Sequence, residues 1–234
     1  MQSLLADLRY AGRELRRRPG FALTAVLSLA LGIGATSAVF SVIYAILIDP
    51  FPYPRADRIM EMRLVDKAGK DSYMGPSGPQ ADLIRQAKSI EDVTLMDWWN
   101  LTTTDGDLPE DVQANYIDPN APNHWGIRAL KGRWLIPSDA PPGQEPQRVV
   151  VVSYQFWQRY YMGDPKVIGR TLQLVHKPYQ VVGVMPPRFR WANVDMYLPL
   201  KVTRDPNIHY AASIKIRPGV SPEAAAAELE PMIR

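Results

Sequence analysis

The longest apolar stretch of the chain lies near its N-terminus, over residues 21–48. It holds 28 residues without a charged residue, proline, asparagine or glutamine. As an α-helix rising about 1.5 Å per residue it would be roughly 42 Å long, longer than the about 30 Å hydrocarbon core of a bilayer. Because a buried helix of a soluble domain rarely lacks a polar face over such a length, the pattern predicts a transmembrane helix over residues 21–48.

A cleaved signal peptide is the alternative interpretation of this stretch. The small residues at positions 35–38, Ala-Thr-Ser-Ala, are of the kind that signal cleavage needs. The apolar region of a signal peptide covers about 7–15 residues, however, and here the apolar run continues well past Ala38. The pattern therefore favours a helix that stays in the membrane.

The segment before the helix is short and basic. In residues 2–18, four apolar positions (Leu4, Leu8, Ala11 and Leu15) share one helical face and arginines occupy the other, which predicts an amphipathic helix at the cytoplasmic interface. The alternative to this helix is a charged segment without a fixed conformation at the membrane. The positive-inside rule predicts that residues 1–20 lie in the cytoplasm and residues 50–234 on the far side of the membrane.

After the helix, short apolar runs alternate with turn signals. The predicted strands cover residues 59–65, 93–99, 112–117, 148–152, 171–175, 180–185, 196–198 and 208–217. Predicted helices cover residues 80–90, 154–162 and 221 to the C-terminus, with a helix or turn at 119–125 and a loop at 75–79. Ser153 and Ser221 are the expected N-caps of two of these helices.

This order of elements predicts an α+β fold. Residues 55–127 together with 206–234 form a split βαβ lobe, and residues 128–205, which are rich in Pro and Gly, form a β-rich insertion. The split βαβ pattern lacks its final strand, so the chain either stops early or has its sheet edge completed from elsewhere.

Composition excludes several kinds of chemistry. The formal net charge is +3, all of it contributed by residues 1–20, so the rest of the chain is neutral and shows no basic nucleic-acid face. The absence of cysteine excludes disulfides, thiolate catalysis and cysteine-ligated metals. No phosphate-binding loop motif occurs either, so ATP hydrolysis would require a separate subunit.

The remaining polar motifs have structural explanations. His124, His176 and His209 lack the spacing of metal ligands, and Ser153 lies outside a nucleophile motif. The acidic segment 105–111 lacks the spacing of an EF-hand, which favours a hairpin turn over a Ca²⁺ loop. The sequence therefore predicts no catalytic, cofactor-binding or metal-binding residue.

The six tryptophans leave two interpretations open. They could line an apolar groove that binds a substrate, or they could belong to the core, which is the commoner role of such residues. They are Trp98, Trp99, Trp125, Trp134, Trp157 and Trp191.

An ordered series of short motifs carries a family resemblance over almost the whole chain. The motifs are Arg-Arg-Pro-Gly-Phe at 17–21, Ala-Leu-Gly-Ile-Gly-Ala at 30–35, Pro-Tyr-Pro at 52–54, Val-Val-Ser-Tyr at 151–154 with Trp157, Gly-Asp-Pro at 163–165 with Ile-Gly-Arg at 168–170, Val-Val-Gly-Val-Met-Pro at 181–186 and Pro-Gly-Val-Ser at 218–221. In this series the chain resembles the N-terminal part of MacB-like/FtsX-like ABC transporter permeases, especially the acidobacterial type of predicted permease.

The resemblance implies a first transmembrane helix followed by a periplasmic core domain with a porter-like lobe and an inserted β-rich lobe. It implies as partners the lipid bilayer, an ABC ATPase subunit, further permease helices or a second permease unit, and a periplasmic adaptor. Relatives continue with a returning strand and three more helices, so the chain is expected to be a fragment, a split half or a truncated product.

Two other functions remain open from the residues alone. A single-span sensor or scaffold with an extracytoplasmic binding domain would have the same anchor and domain layout. A membrane-anchored enzyme is a third possibility, although no group of residues supports it. The leading hypothesis is a permease subunit whose periplasmic domain transmits ATP-driven motion for export or for the handling of envelope substrates.

Overall fold

The computed structural model describes residues 13, 16–44, 54–65, 71–72, 75–105, 109–189 and 191–233. The chain divides into two compact units, Met1–Phe51 and Pro52–Arg234. The first unit contains one long apolar helix, and the second is a sheet-rich domain with short helices. The predicted α+β class with an N-terminal apolar helix is therefore confirmed.

Helix α1 of the first unit spans Pro19–Ile43. None of its residues is buried, and among the described residues it is the one helix that is long and apolar enough to cross a membrane. Its 25 residues correspond to about 38 Å. Pro19 starts the helix two residues earlier than predicted, because proline is well suited to the first helical position. The predicted continuation to residue 48, and most of the predicted helix over residues 2–18, lie outside the described residues.

Three hydroxyl groups within α1 bond to the helix's own backbone. In each case the hydroxyl donates to a carbonyl one turn earlier: Thr24 to Phe21 at 3.0 Å, Thr36 to Gly32 at 2.8 Å and Ser41 to Ser37 at 2.8 Å. In hydrocarbon, where no water is present, polar groups must be paired in this internal way. The hydrogen bonding of α1 thus agrees with a membrane span.

The second unit contains eleven strands and four α-helices within the described residues. The strands are β1 (Ile59–Met62), β2 (Leu64–Val65), β3 (Asp71–Ser72), β4 (Ile90–Thr103), β5 (Glu110–Ile117), β6 (Lys131–Gly132), β7 (Val149–Val152), β8 (Thr171–Leu174), β9 (Lys177–Val184), β10 (Met196–Pro199) and β11 (Ala211–Ile216). The helices are α2 (Gly78–Ile84), α3 (Ala121–Trp125), α4 (Tyr154–Tyr160) and α5 (Pro222–Leu229). Every predicted strand has a counterpart, and the two-residue strands β3 and β6 are additional.

Nine of the strands form one mixed sheet, and six of these nine strands close into a ring. The strand order is β1-β11-β4-β5-β10-β7-β9-β6, and β8 pairs with both β4 and β9. Strands β4, β5, β10, β7, β9 and β8 therefore form a closed ring of six. The pair Thr103↔Leu174 closes it, supported by a hydrogen bond from the Val175 amide to the Thr102 carbonyl at 2.9 Å.

Three groups of buried side chains pack against this sheet. The first lies between helices α2 and α5 and strands β1, β11 and β4, and includes Ile84, Leu95 and Leu229. The second contains side chains from all six ring strands and from α4, so it fills the inside of the ring. The third is aromatic and lies on the opposite face of the sheet, around Trp125 and Tyr197. Because side chains alternate along a strand, β4 and β5 supply residues to both faces.

Two of the predicted helix starts are confirmed in detail. The Ser153 hydroxyl accepts a hydrogen bond from the Phe156 amide at 3.1 Å, and the Ser221 hydroxyl accepts one from the Ala224 amide at 3.2 Å. A further N-cap, Ser77, starts α2 through a capping box with Gln80. These local signals fix where the helices begin.

The predicted helix over residues 80–90 is wrong at both ends. Helix α2 begins at Gly78, inside the predicted loop, and ends at Ile84, while Ile90 already starts β4. The carboxylate of Glu228 in α5 accepts hydrogen bonds from the Lys88 and Ser89 amides at 2.8 and 2.9 Å. The Lys88 and Ser89 amides thus bond to a distant part of the chain and not to a continued helix.

The close approach of β6 to β9 generates a stability prediction. A Cβ atom at Gly183 would lie 1.9 Å from the Arg133 carbonyl oxygen, so Gly183→Ala forces the two backbones apart. We expect a loss of about 2–3 kcal/mol in the free energy of unfolding. The measurement is urea unfolding of the full chain in detergent micelles, followed by tryptophan fluorescence.

Gly169→Ala is the matched control for this substitution. Gly169 has a φ of +87°, but no atom lies within 4 Å of the position that a Cβ would take there, so its substitution costs only about 1 kcal/mol of backbone strain. Equal losses for the two variants would show that the Gly183 contact is not tight.

Candidate functional site

A buried polar network connects three separate elements of the second unit. His124 of α3 is fully buried; its Nδ1 lies 3.0 Å from Asp92 Oδ2 and its Nε2 lies 2.8 Å from Ser213 Oγ. The Asn120 side-chain amide donates to the other Asp92 oxygen at 2.7 Å. The network therefore ties α3 to the adjacent strands β4 and β11.

This Ser-His-Asp arrangement has the connectivity of a hydrolase triad but not its exposure. Ser213 is fully buried, and its strand β11 is paired on both sides, with β1 and with β4. The Ser213 hydroxyl lies against the buried His124 ring on the face of the sheet, so a substrate carbonyl could not reach it without moving α3 off that face. We assign the network a structural role. Sequence inspection did not find it because residues 92, 124 and 213 have no informative spacing.

The other histidines and the acidic segment considered in the sequence analysis lie, as far as the structure describes them, in surroundings that do not form a catalytic or metal site. His176 is exposed, and the His209 Nδ1 lies 2.9 Å from the Gly75 carbonyl oxygen. Asp105 accepts a hydrogen bond from the Tyr160 hydroxyl, and the next three residues of the acidic segment lie outside the described residues. Within the described part of the chain, no group of three or more acidic or histidine side chains could hold a metal ion.

The tryptophans divide into a buried and an exposed set. Trp125 and Trp134 belong to the aromatic group on the outer face of the ring, and Trp157 belongs to the group inside it. Trp191 is half-buried against the same outer face. Trp98 and Trp99, by contrast, are 43% and 58% exposed. The core interpretation is correct for the buried residues, and the exposed pair is the candidate interaction surface.

The exposed tryptophans lie on the two faces of β4. Trp98 is paired with Asn115 and Trp99 with Ala114, whose side chains point to the outside and the inside of the ring, respectively. The Asp97 carboxylate accepts hydrogen bonds from the Trp98 amide at 2.9 Å and from the Trp99 indole at 2.8 Å. Asp97 thus binds the backbone of Trp98 and the side chain of Trp99.

Two tyrosines accompany this surface on the inner side of the sheet. Burial, the neighbouring Tyr179 hydroxyl and the negative charge of Asp97 raise the pKa of Tyr116 to about 12. Tyr116 is half-buried and packs against both the ring interior and the core under α2 and α5. The surface therefore combines exposed aromatic rings with a carboxylate close to the boundary between two cores.

Comparison with known proteins gives a consistent result for the whole chain. Residues 22–232 match the model of the MacB-like periplasmic core domain. The fold is similar to the periplasmic region of MacB from Actinobacillus actinomycetemcomitans, with a TM-score of 0.58 and 16% identity over 74% of this chain and 80% of that one. It is also similar to the extracellular domain of the noncanonic ABC-type transporter YknZ from Gram-positive bacteria, with a TM-score of 0.58 and 15% identity over 75% of this chain and 92% of that one. No curated protein sequence matches this chain.

Substitutions of different residues in the buried network should lower the stability of the fold by different amounts. His124→Ala leaves the side chains of Asp92 and Ser213 without their imidazole partner, so we expect a loss of about 3 kcal/mol in the free energy of unfolding. Ser213→Ala removes the contact with His124 Nε2 and a long hydrogen bond to the Met60 carbonyl at 3.4 Å but leaves the Asp92 contact of His124 in place, so it is expected to cost only about 1–2 kcal/mol. Urea unfolding of the full chain in micelles measures both, and equal small effects would contradict the assigned role.

Tyr116 gives a prediction about alkaline pH. Its folded pKa of about 12 lies above the unfolded value of 10, so its stabilising contribution is complete below pH 10 and is lost as the pH rises toward 12. Tyr179→Phe removes one cause of the shift and should lower the Tyr116 pKa, while burial keeps it above 10. Absorbance titration of each protein, with Tyr116→Phe as the reference that identifies the signal, tests this; an unchanged pKa would contradict it.

Proposed function

The chain belongs to the family of MacB-like periplasmic core domains, and we propose that it acts as the N-terminal part of an ABC-type permease subunit that transmits ATP-driven motion across the membrane. The family match confirms the resemblance deduced from the sequence motifs. It is the main support for this proposal because it covers both the apolar helix and the sheet-rich domain. The motion would serve export, efflux or the handling of envelope substrates. Its cargo is not specified by the fold.

The proposed division of labour follows the two units of the chain. Permeases of this family work within ABC transporter assemblies. Since the sequence has no phosphate-binding loop, we assign ATP hydrolysis to a separate ATPase subunit. Residues 2–18 would meet the ATPase on the cytoplasmic side, and residues 21–48 would carry the motion together with further permease helices or a second permease unit. The periplasmic part would engage cargo or an adaptor.

We also propose the lobe division that was expected from the sequence. Four strands of residues 55–127 and 206–234, β1, β11, β4 and β5, are neighbours at one end of the large sheet, while β2 and β3 pair only with each other. The strands of residues 128–205, β6 to β10, are neighbours at the other end, apart from the contact of β8 with β4. This order supports a porter-like lobe and an inserted β-rich lobe.

The proposed location is the bacterial inner membrane, with the N-terminus in the cytoplasm and residues 50–234 in the periplasm. The absence of native cysteine makes this easy to test, because a single introduced thiol gives an unambiguous label. Gln144→Cys, in an exposed loop, should react with a membrane-impermeant maleimide in spheroplasts. Gln2→Cys should react only after permeabilisation. The reverse pattern, or loss of the Gln2→Cys protein through cleavage, would contradict the topology.

Nucleotide-dependent motion is the test of the function itself. The full chain is purified from native membranes with its associated subunits, and amide hydrogen exchange is compared with and without ATP and vanadate. We expect exchange within residues 55–234 to change in the trapped state, with ADP alone as the control. A complex without ATPase activity and without any exchange difference would favour the sensor or scaffold hypothesis.

A further inference from the structure

One stretch of β4 has a partner strand on only one side. Strand β5 pairs with β4 from Met96 to Thr103, but β11 pairs only as far as Met96. On that same side, pairing resumes at Thr102, whose carbonyl accepts the Val175 amide. Within the described residues, the intervening positions 97–101 have no strand beside them on this side. The sheet is therefore interrupted there, between the end of β11 and the start of the β8 contact.

The backbone of this stretch presents hydrogen-bonding groups to the open side. Alternate residues of an antiparallel strand direct their N–H and C=O groups to opposite sides. Met96 and Thr102 bond toward the open side, so Trp98 and Asn100, which lie between them at even spacing, point the same way. The Trp98 amide is covered by the Asp97 carboxylate, whereas the Asn100 amide and carbonyl have no partner among the described residues.

The side chains along the edge differ from those that protect an exposed strand. Edge strands are usually blunted by lysine, proline or a covering segment. Here the edge carries the exposed side chains of Trp98 and Trp99, and Val175 at its far end is 51% exposed. A sheet edge binds an extended peptide through its free backbone groups and through surfaces that contact alternate peptide side chains, and the two tryptophans offer such surfaces here.

Charge indicates the chemistry of the occupant. Asp97 and Asp111 lie on opposite faces of the β4–β5 pair, and neither has a lysine or arginine partner among the described residues. Asp111 is bound by the Thr102 hydroxyl at 3.0 Å. A second copy of this chain would bring like charges together along the paired edges. An added strand with basic side chains would instead find a carboxylate on each face.

We propose that residues 97–101 of β4 are a docking site for an extended, basic segment of a partner protein, which binds by adding a strand to the sheet. Backbone hydrogen bonds at Asn100 hold the segment, Trp98 and Trp99 cover its side chains on the two faces, and the Asp97 and Asp111 carboxylates select basic residues. The site lies on the sheet-rich unit alone and does not depend on the transport role proposed above.

The test uses the full chain in zwitterionic micelles, so that no lipid charge attracts the probe. The probe is a fluorescent, terminally blocked peptide of about eight residues in which lysine and valine alternate. The matched peptide with glutamate in place of lysine has the same length and strand propensity. Fluorescence anisotropy should show binding of the lysine peptide, weakened by salt, and no binding of the glutamate peptide. Equal binding of both peptides would overturn the charge assignment.

Two substitutions at one position separate backbone pairing from simple attraction. Asn100→Pro removes an N–H group that faces away from β5, so the β4–β5 pairing is retained, and proline is tolerated at such an edge position. Asn100→Ala keeps the N–H group. We expect affinity for the lysine peptide to fall about tenfold with proline and to stay unchanged with alanine. Circular dichroism checks that both variants are folded.

Other outcomes would reject the site. If Asn100→Pro binds the peptide as well as Asn100→Ala does, association is electrostatic and strand addition is wrong. If no peptide binds, or if the Asn100 amide of the free chain is strongly protected from hydrogen exchange, the edge is already covered by another part of this chain and the proposal is wrong. Asp97→Asn should weaken binding of the lysine peptide about threefold, through the lost surface ion pair.

Discussion

Hydrogen bonding along β4 is the constraint on which the rest of the sheet-rich unit depends. The strand is 14 residues long, far longer than any other strand described. It bonds to β5 along its second half, to β11 along its first half and to β8 at its last residue. Because one continuous strand belongs both to the sheet under α2 and α5 and to the six-stranded ring, neither part can be completed without the other.

The cores are arranged around this shared strand. Side chains of β4 that point to one face enter the core under the helices near its start and the ring interior near its end. Those on the opposite face meet the aromatic group around Trp125 and the polar network of His124. A buried polar network costs desolvation, but when every member is bonded it fixes one arrangement of the elements that it joins. Here it fixes the short helix α3, which five residues could not hold in place by helical bonding alone.

The sequence could predict what depends on nearby residues. The strands, the caps at Ser153 and Ser221 and the apolar helix all follow from periodicity and local capping, and the structure agrees with them. The end of helix α2 was mispredicted: the Gln86 and Ala87 amides turn back to the Leu83 and Ile84 carbonyls, and Glu228, far along the chain, binds the next two amides. Closure of the ring depends on the pairing of Thr103 with Leu174, and no local pattern encodes such a distant contact. For the same reason the sequence could identify six tryptophans but not the two that are exposed.

The position of the open edge has a mechanical consequence if a partner binds there. A strand added at residues 97–101 would be bonded to the part of β4 that lies between its contact with β11 and its contact with β8. Force applied through a backbone ladder is distributed over several hydrogen bonds in register, whereas force applied to a loop acts through a flexible connection. A partner held at this edge would therefore pull on both ends of the sheet at once. For a domain proposed to transmit motion, residues 97–101 of β4 are a place where a contact couples directly to both parts of the sheet.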